Sequence, residues 1–353
     1  MKLTKTSAAL SCIFLASSFS LSAKPVDTLD GFFVKGGYMV TAADYPTVET
    51  SHQMLKNQDE AGVNQFLHKR ELTPTDKQPV VRMNRDTYYS FAVVDVSEGA
   101  WITIPDVPDG KYVSVQPVTE DHRIQPMFYG TGTYELKTHM GTHMYLVVRL
   151  DSTLSKQDAK RIQDQMKIKA NSKDKFEAEP VDKVSFDKVE KALKAKMPGI
   201  YERDGDDALV GMFTAPTDSS NKFFTQEKYE VGAAIGWGGA QLIDNIYEVS
   251  GNYPTKECHQ ATFEDPEDKA FWSFTVYNKA GFMFNDVANV SSNTATANED
   301  GTYTVSFGCG KDAPNNIATK NKSGVFNLGV RHYQPSEKVQ NGYRLLPFVK
   351  PVK

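Results

Sequence analysis

Beyond residue 24 no stretch approaches the ~18 continuous apolar residues of a membrane-spanning helix. No transmembrane span is therefore expected in the body of the chain. Charge of one sign is missing too. Forty Lys and Arg stand against 44 Asp and Glu, which gives no electrostatic footprint for nucleic acid. There is no low-complexity tract and no repeat at a period of about 20–50 residues, which excludes a solenoid. The chain has no Gly-x-Ser-x-Gly elbow, no Walker loop, no His-Glu-x-x-His and no Cys-x-x-Cys. Gly236 to Gln241 fails the dinucleotide pattern at its third glycine. The hydrolase, nucleotide, zinc-protease and thiol-redox chemistries carried by those motifs are set aside, and no cofactor or metal is expected. An enzyme built from carboxylates stays open, because such pairs leave no local spacing signature.

Cysteine is scarce, with Cys12, Cys258 and Cys309 only. Cys12 falls inside an N-terminal segment with the grammar of a secretory signal: Lys2 and Lys5, an apolar run over 8–19, then Ser22-Ala23 before Lys24. Cleavage after residue 23 leaves 330 residues with 38 basic and 44 acidic groups, a net charge of −6. The mature protein is expected in the periplasm or medium, with no membrane attachment. An even pair of cysteines in an oxidising compartment predicts a Cys258–Cys309 disulfide.

The hydrophobic pattern changes period along the mature chain. Residues 24–78 read as helical and irregular, with a helix opened by Pro46 and running to about Lys69. Residues 79–151 carry short β-branched and aromatic runs with turn residues between them: Val80–Met83, Tyr88–Val96, Trp101–Ile104, Tyr112–Val118, Met127–Leu136 and His143–Leu150. That spacing predicts a β-sandwich or barrel. Residues 152–250 read as a helical connector, with helices over Ser155–Ile168, Ser185–Met197 and Val231–Val249. Gly236-Trp237-Gly238-Gly239 weakens the last of these and points to close backbone packing. From 251 to 353 the strand pattern returns, at Phe271–Tyr277, Gly301–Phe307, Gly324–Tyr333 and Tyr343–Val349. The chain is thus mainly β with helical additions, in two β domains joined by a helical segment.

The string Val80-Val81-Arg82-Met83-Asn84-Arg85-Asp86-Thr87-Tyr88-Tyr89-Ser90, with Ala92–Val96 and a Trp-Ile-Thr-Ile-Pro-Asp run, resembles the signature of domain-of-unknown-function family 1254. The C-terminal part resembles its usual partner, family 1214, through Phe271–Tyr277, Asn298-Glu299-Asp300-Gly301, Arg331-His332-Tyr333-Gln334-Pro335 and Gly342-Tyr343 with Pro347. The resemblance implies two β-sandwich domains of jelly-roll type with helical additions. It implies no activity.

Several groups of residues are candidates for chemistry. Arg85 could clamp a carboxylate or phosphate bidentately, with Asp86 as a base and Asn84 and Tyr88 orienting a polar ligand. The alternative is a turn in which Asn84 and Asp86 bond their own backbone and Arg85 pairs with a nearby acid. Trp272 and Arg331 join this candidate ligand-binding set. Glu120-Asp121-His122-Arg123 reads as a solvated loop, although His122 could serve an acid–base pair. His139 and His143 lie four apart across a turn with no further ligand nearby, and Asp204-Gly205-Asp206-Asp207 lacks an EF-hand pattern; neither predicts a metal. The preferred function is binding of a polar small molecule or saccharide at the interdomain cleft. The alternatives are an assembly module forming homo-oligomers, and a carboxylate-based hydrolase or lyase pairing Asp86 with His122 or another acid.

Overall fold

The computed structural model describes residues 24–78, 81–218 and 224–352. The signal-peptide reading of residues 1–23 and the start of the predicted strand at Val80 lie outside the described residues. The chain is mostly β, with two β-sandwiches and a layer of helices.

In the first sandwich a five-stranded sheet runs in the order Phe66–Lys69, Thr87–Asp95, His143–Asp151, Val113–Thr119, Phe128–Tyr129. It packs on a three-stranded sheet of Gly132–Leu136, Ala100–Ile104 and Lys167–Ala170. Alternate residues of each strand fill the space between them, among them Ala92, Val94, Ile102, Val115, Leu146 and Val148. Both sheets reach past the boundaries drawn from composition. The helix opened by Pro46 spans Tyr45–Ala61 and stops at Gly62, whose φ of 86° is left-handed. Phe66–Lys69 then pairs antiparallel with Thr87–Asp95 instead of continuing the helix to Lys69. The helix capped by Ser155 spans Lys156–Gln165 and ends short of Ile168, because Lys167–Ala170 is claimed by the strand Ala100–Ile104.

The second sandwich has a five-stranded sheet with Asn245–Val249, Val325–Tyr333, Phe271–Asn278 and Asn289–Ser291 in order, and Tyr253–Pro254 beside Val325–Tyr333. Its partner sheet orders Asn316–Ile317, Tyr303–Phe307, His259–Phe263 and Val349–Pro351. Trp272, Phe274, Phe307, Phe326 and Leu328 form the core. Cys258 and Cys309 are joined in a disulfide across 51 residues, beside the paired residues His259 and Phe307.

Helices Tyr45–Ala61, Lys183–Lys194, Met197–Asp204 and Gln226–Gly236 form the helical layer. Met54, Leu55, Phe186, Leu193 and Val231 pack on Val93, Val118, Tyr145 and Val147, on the outer face of the first five-stranded sheet. The helix expected to reach Val249 ends at Gly236. Gly239 then lies against the Phe213 ring so closely that a Cβ would sit 2.3 Å from it, which is the close packing the glycine cluster foretells. Asn245–Val249 is a strand of the second sandwich, not helix.

Candidate functional site

Alternation in the central strands suggests one buried and one solvated face. Instead every residue of Val113–Thr119 and His143–Asp151 is buried, and nearly all of Phe271–Asn278 and Val325–Tyr333. The polar faces of the two five-stranded sheets meet each other. Strand register builds a similar row on each. In the first sheet Arg149 lies opposite Tyr89 on one side and Ser114 on the other. In the second, Arg331 lies opposite Tyr247 and Ser273. Both arginines are 7 % exposed.

At one end of this seam the charged groups are bonded. The Asp86 carboxylate, 1 % exposed, accepts from Ser273 Oγ (2.8 Å), Asn289 Nδ2 (2.7 Å) and Tyr333 Oη (3.0 Å), with Arg331 Nη1 at 3.9 Å. Arg331 also donates to Thr275 Oγ1 at 3.1 Å and, through Nη2, to the Arg82 carbonyl at 2.8 Å and Tyr277 Oη at 2.9 Å. Tyr277 donates to the Met83 carbonyl at 2.8 Å. A buried carboxylate tolerates loss of water when donors and a cation replace it in this way.

The other end differs. Arg149 Nη1 donates to Gln116 Oε1 at 2.8 Å, and Gln116 is itself held by the carbonyls of Gly238 (2.8 Å) and Gly239 (3.2 Å). Among the described residues Arg149 forms no ion pair. Its guanidinium sits 5.8 Å from the Tyr89 ring centre, and hydroxyls of Tyr112, Tyr247 and Tyr333 lie within its electrostatic reach. Asp244 stands nearby, 7 % exposed. Its Oδ1 accepts from Tyr129 Oη at 2.7 Å, while its buried Oδ2 has no partner among the described residues. Burial raises the Asp244 pKa, against the opposing pull of the Tyr129 hydrogen bond and the Arg149 charge. A cleft of about 370 Å³ between the helical layer and the second sandwich is lined by Tyr201, Leu209, Tyr247 and Arg344, so Tyr247 belongs both to the cleft and to the seam.

The residues singled out in the sequence divide. Asp86 and Arg331 meet in the seam. Asn84 takes the turn alternative: its Oδ1 accepts from the Asp86 amide (3.0 Å), and its Nδ2 donates to Tyr89 Oη (2.8 Å). Arg85 donates to the Thr73 carbonyl at 2.6 Å, not to the nearby acid expected of it in that turn, and takes no part in the seam's hydrogen bonds among the described residues. Tyr88 and Trp272 require correction as ligand contacts. They point to the opposite faces of their strands and lie in the two hydrophobic cores, at 3 % and 0 % exposure.

His122 does not lie on a solvated loop. It is wholly buried at φ 59°, stacked on Trp237 with Nε2 accepting from the Gly238 amide at 3.0 Å. Desolvation lowers its pKa to about 3. Asp86 is bonded to the second sandwich and His122 is packed under the helical layer, so these two do not form an acid–base pair. His139 bonds Asp121 and His143 the Asp174 carbonyl, each with its own partner. Asp204 pairs with Arg203 and Lys228, which hold its pKa low.

His332 lies between two carboxylates, with Nδ1 2.7 Å from Asp268 and Nε2 2.9 Å from Glu248. Burial opposes its charge, but the two acids outweigh burial and raise its pKa. A raised folded-state pKa contributes stability that is complete below the unfolded value of about 6.5 and lost as pH rises through the folded value. Urea unfolding across that window is expected to show falling stability for the native protein and a flatter profile for His332→Gln. Equal slopes would contradict the assignment.

Residues 63–120 match the family described as protein of unknown function DUF1254, and residues 250–337 match protein of unknown function DUF1214. No curated protein matches the chain. Among solved structures, the VPA0106 protein from Vibrio parahaemolyticus is similar at 17% identity and a TM-score of 0.65, covering 88% of this chain and 98% of that one. An uncharacterized protein from Burkholderia cenocepacia is similar at 14% identity and a TM-score of 0.53, covering 88% and 87%. These likenesses concern the fold.

Proposed function

We propose that this protein binds a polar, anionic small molecule in the seam between its two sandwiches, and that it does so outside the cytoplasm. The observation that carries the reading is Arg149: a buried guanidinium held in place by Gln116, with no carboxylate partner among the described residues. An isolated buried charge is costly, and a planar fork of donors suits a carboxylate, sulfate or phosphate. Arg331 supplies a second positive charge from the facing sheet, already partly neutralised by Asp86. A cleft borders the seam at Tyr247, and its volume is within the ~300–1,000 Å³ of small-molecule sites. The disulfide and the signal-like N-terminus support export.

Native mass spectrometry of protein purified from the periplasm tests this. A discrete extra mass that leaves on denaturation is expected with the native chain and is expected to be absent from Arg149→Met, whose apolar stem keeps the packing. A bare native chain, or the same adduct on both proteins, would contradict the proposal.

A further inference from the structure

We infer that the anion is also hydroxylated, a sugar acid or similar polyhydroxy carboxylic acid, with its acid group on Arg149 and a hydroxyl on Asp244. This rests on the anion-binding reading and adds to it the class of ligand.

Asp244 is another unsatisfied group of the same seam, next to Asn245, whose buried Oδ1 also has no partner among the described residues. Its backbone carbonyl accepts from the Gln334 amide at 2.9 Å, and its Oδ1 from Tyr129 at 2.7 Å, so the carboxyl is fixed. Oδ2 is left buried and unpartnered among the described residues. Strand register sets Arg149 beside Ser114 and Ser114 beside Tyr129, whose hydroxyl bonds Asp244, yet among the described residues Arg149 and Asp244 form no ion pair. A simple inorganic anion would satisfy Arg149 and push its charge toward Asp244. A neutral sugar would satisfy Asp244 and leave the guanidinium unpaired. A molecule carrying an acid at one end and a hydroxyl at the other satisfies both, since the hydroxyl can donate to an ionised Oδ2 or accept from a protonated one. Tyr129 and Tyr247 are half-buried aromatic residues of this seam, and an aromatic ring suits the apolar side of such a molecule. A polar site rejects analogues that leave its buried groups unpaired more strongly than an apolar pocket rejects a missing methylene.

Isothermal titration of the mature, disulfide-bonded protein with three probes tests this: sodium D-glucuronate, cyclohexanecarboxylate (the acid without hydroxyls) and methyl glucoside (hydroxyls without the acid). Glucuronate is expected to bind ~10–100-fold more tightly than either. Asp244→Ala is expected to lower glucuronate affinity to that of cyclohexanecarboxylate and leave the latter unchanged. Equal affinity for glucuronate and cyclohexanecarboxylate, both lost in Arg149→Met, would overturn the hydroxyl contact and leave anion binding standing. Methyl glucoside binding as tightly as glucuronate, unaffected by Arg149→Met, would overturn both. No binding of any probe would overturn the sugar-acid class, while the adduct experiment judges anion binding separately. The wild-type series decides the matter even where Asp244→Ala misfolds.

Discussion

Replacing Asp86 with alanine is expected to lower the unfolding free energy by about 3–5 kcal/mol, the usual cost of removing one partner from a buried charged network. The substitution strips an acceptor from Ser273, Asn289 and Tyr333 at once and leaves Arg331 without its counter-charge. All four lie in the second sandwich and Asp86 in the first, so the damage falls on the junction between the two. Asp86→Asn preserves volume and one acceptor oxygen, and is expected to cost less. Equilibrium urea unfolding monitored by tryptophan fluorescence gives the comparison. A loss below about 0.5 kcal/mol, typical of an exposed position, would contradict this network. The sequence alone offers Asp86 as a base in a ligand-binding set or as part of a turn. The hydrogen bonds make Asp86 a joint between domains.

Breaking the Cys258–Cys309 bond is expected to cost about 4 kcal/mol on the chain-entropy account, for a loop of 51 residues. The bond ties the start of His259–Phe263 to the end of Tyr303–Phe307, two neighbours in one sheet. The intervening residues include Phe271–Asn278, the strand that carries Trp272 and Ser273. Reduction therefore frees a loop containing both core and seam. Cys258→Ser/Cys309→Ser protein, or native protein under reductant, is expected to unfold at markedly lower denaturant concentration. An unchanged midpoint would show that the sheet holds this loop without the bond.

What could be read from the sequence follows from which forces are local. The strand runs are legible because β-branched and aromatic residues recur at period two, and the disulfide because the two cysteines beyond residue 24 have one pairing. Helix ends are less so. Tyr45–Ala61 stops at Gly62 because the following residues are taken by a strand more than twenty positions away. Asn245–Val249 resembles the end of a helix until its partner Val325–Tyr333 is known. That misreading also hid Asp244 and Tyr247. Arg149 left a faint mark: a basic residue inside the apolar run from Met144 to Leu150. Its meaning needs the second sheet, since a polar residue on an alternating strand normally faces water. Tyr88 and Trp272 drew notice as aromatic strand residues, but the side of the strand decides between core and site, and that follows from pairing.

A high-resolution crystallographic map of the mature protein, purified without reductant and without added anions, tests the central claim most directly. The account predicts a discrete, non-protein feature within hydrogen-bonding distance of the Arg149 guanidinium, between the Tyr89-Arg149-Ser114 and Tyr247-Arg331-Ser273 rows. An Arg149 side chain paired instead with a protein carboxylate, in a seam closed by protein atoms alone, would contradict it.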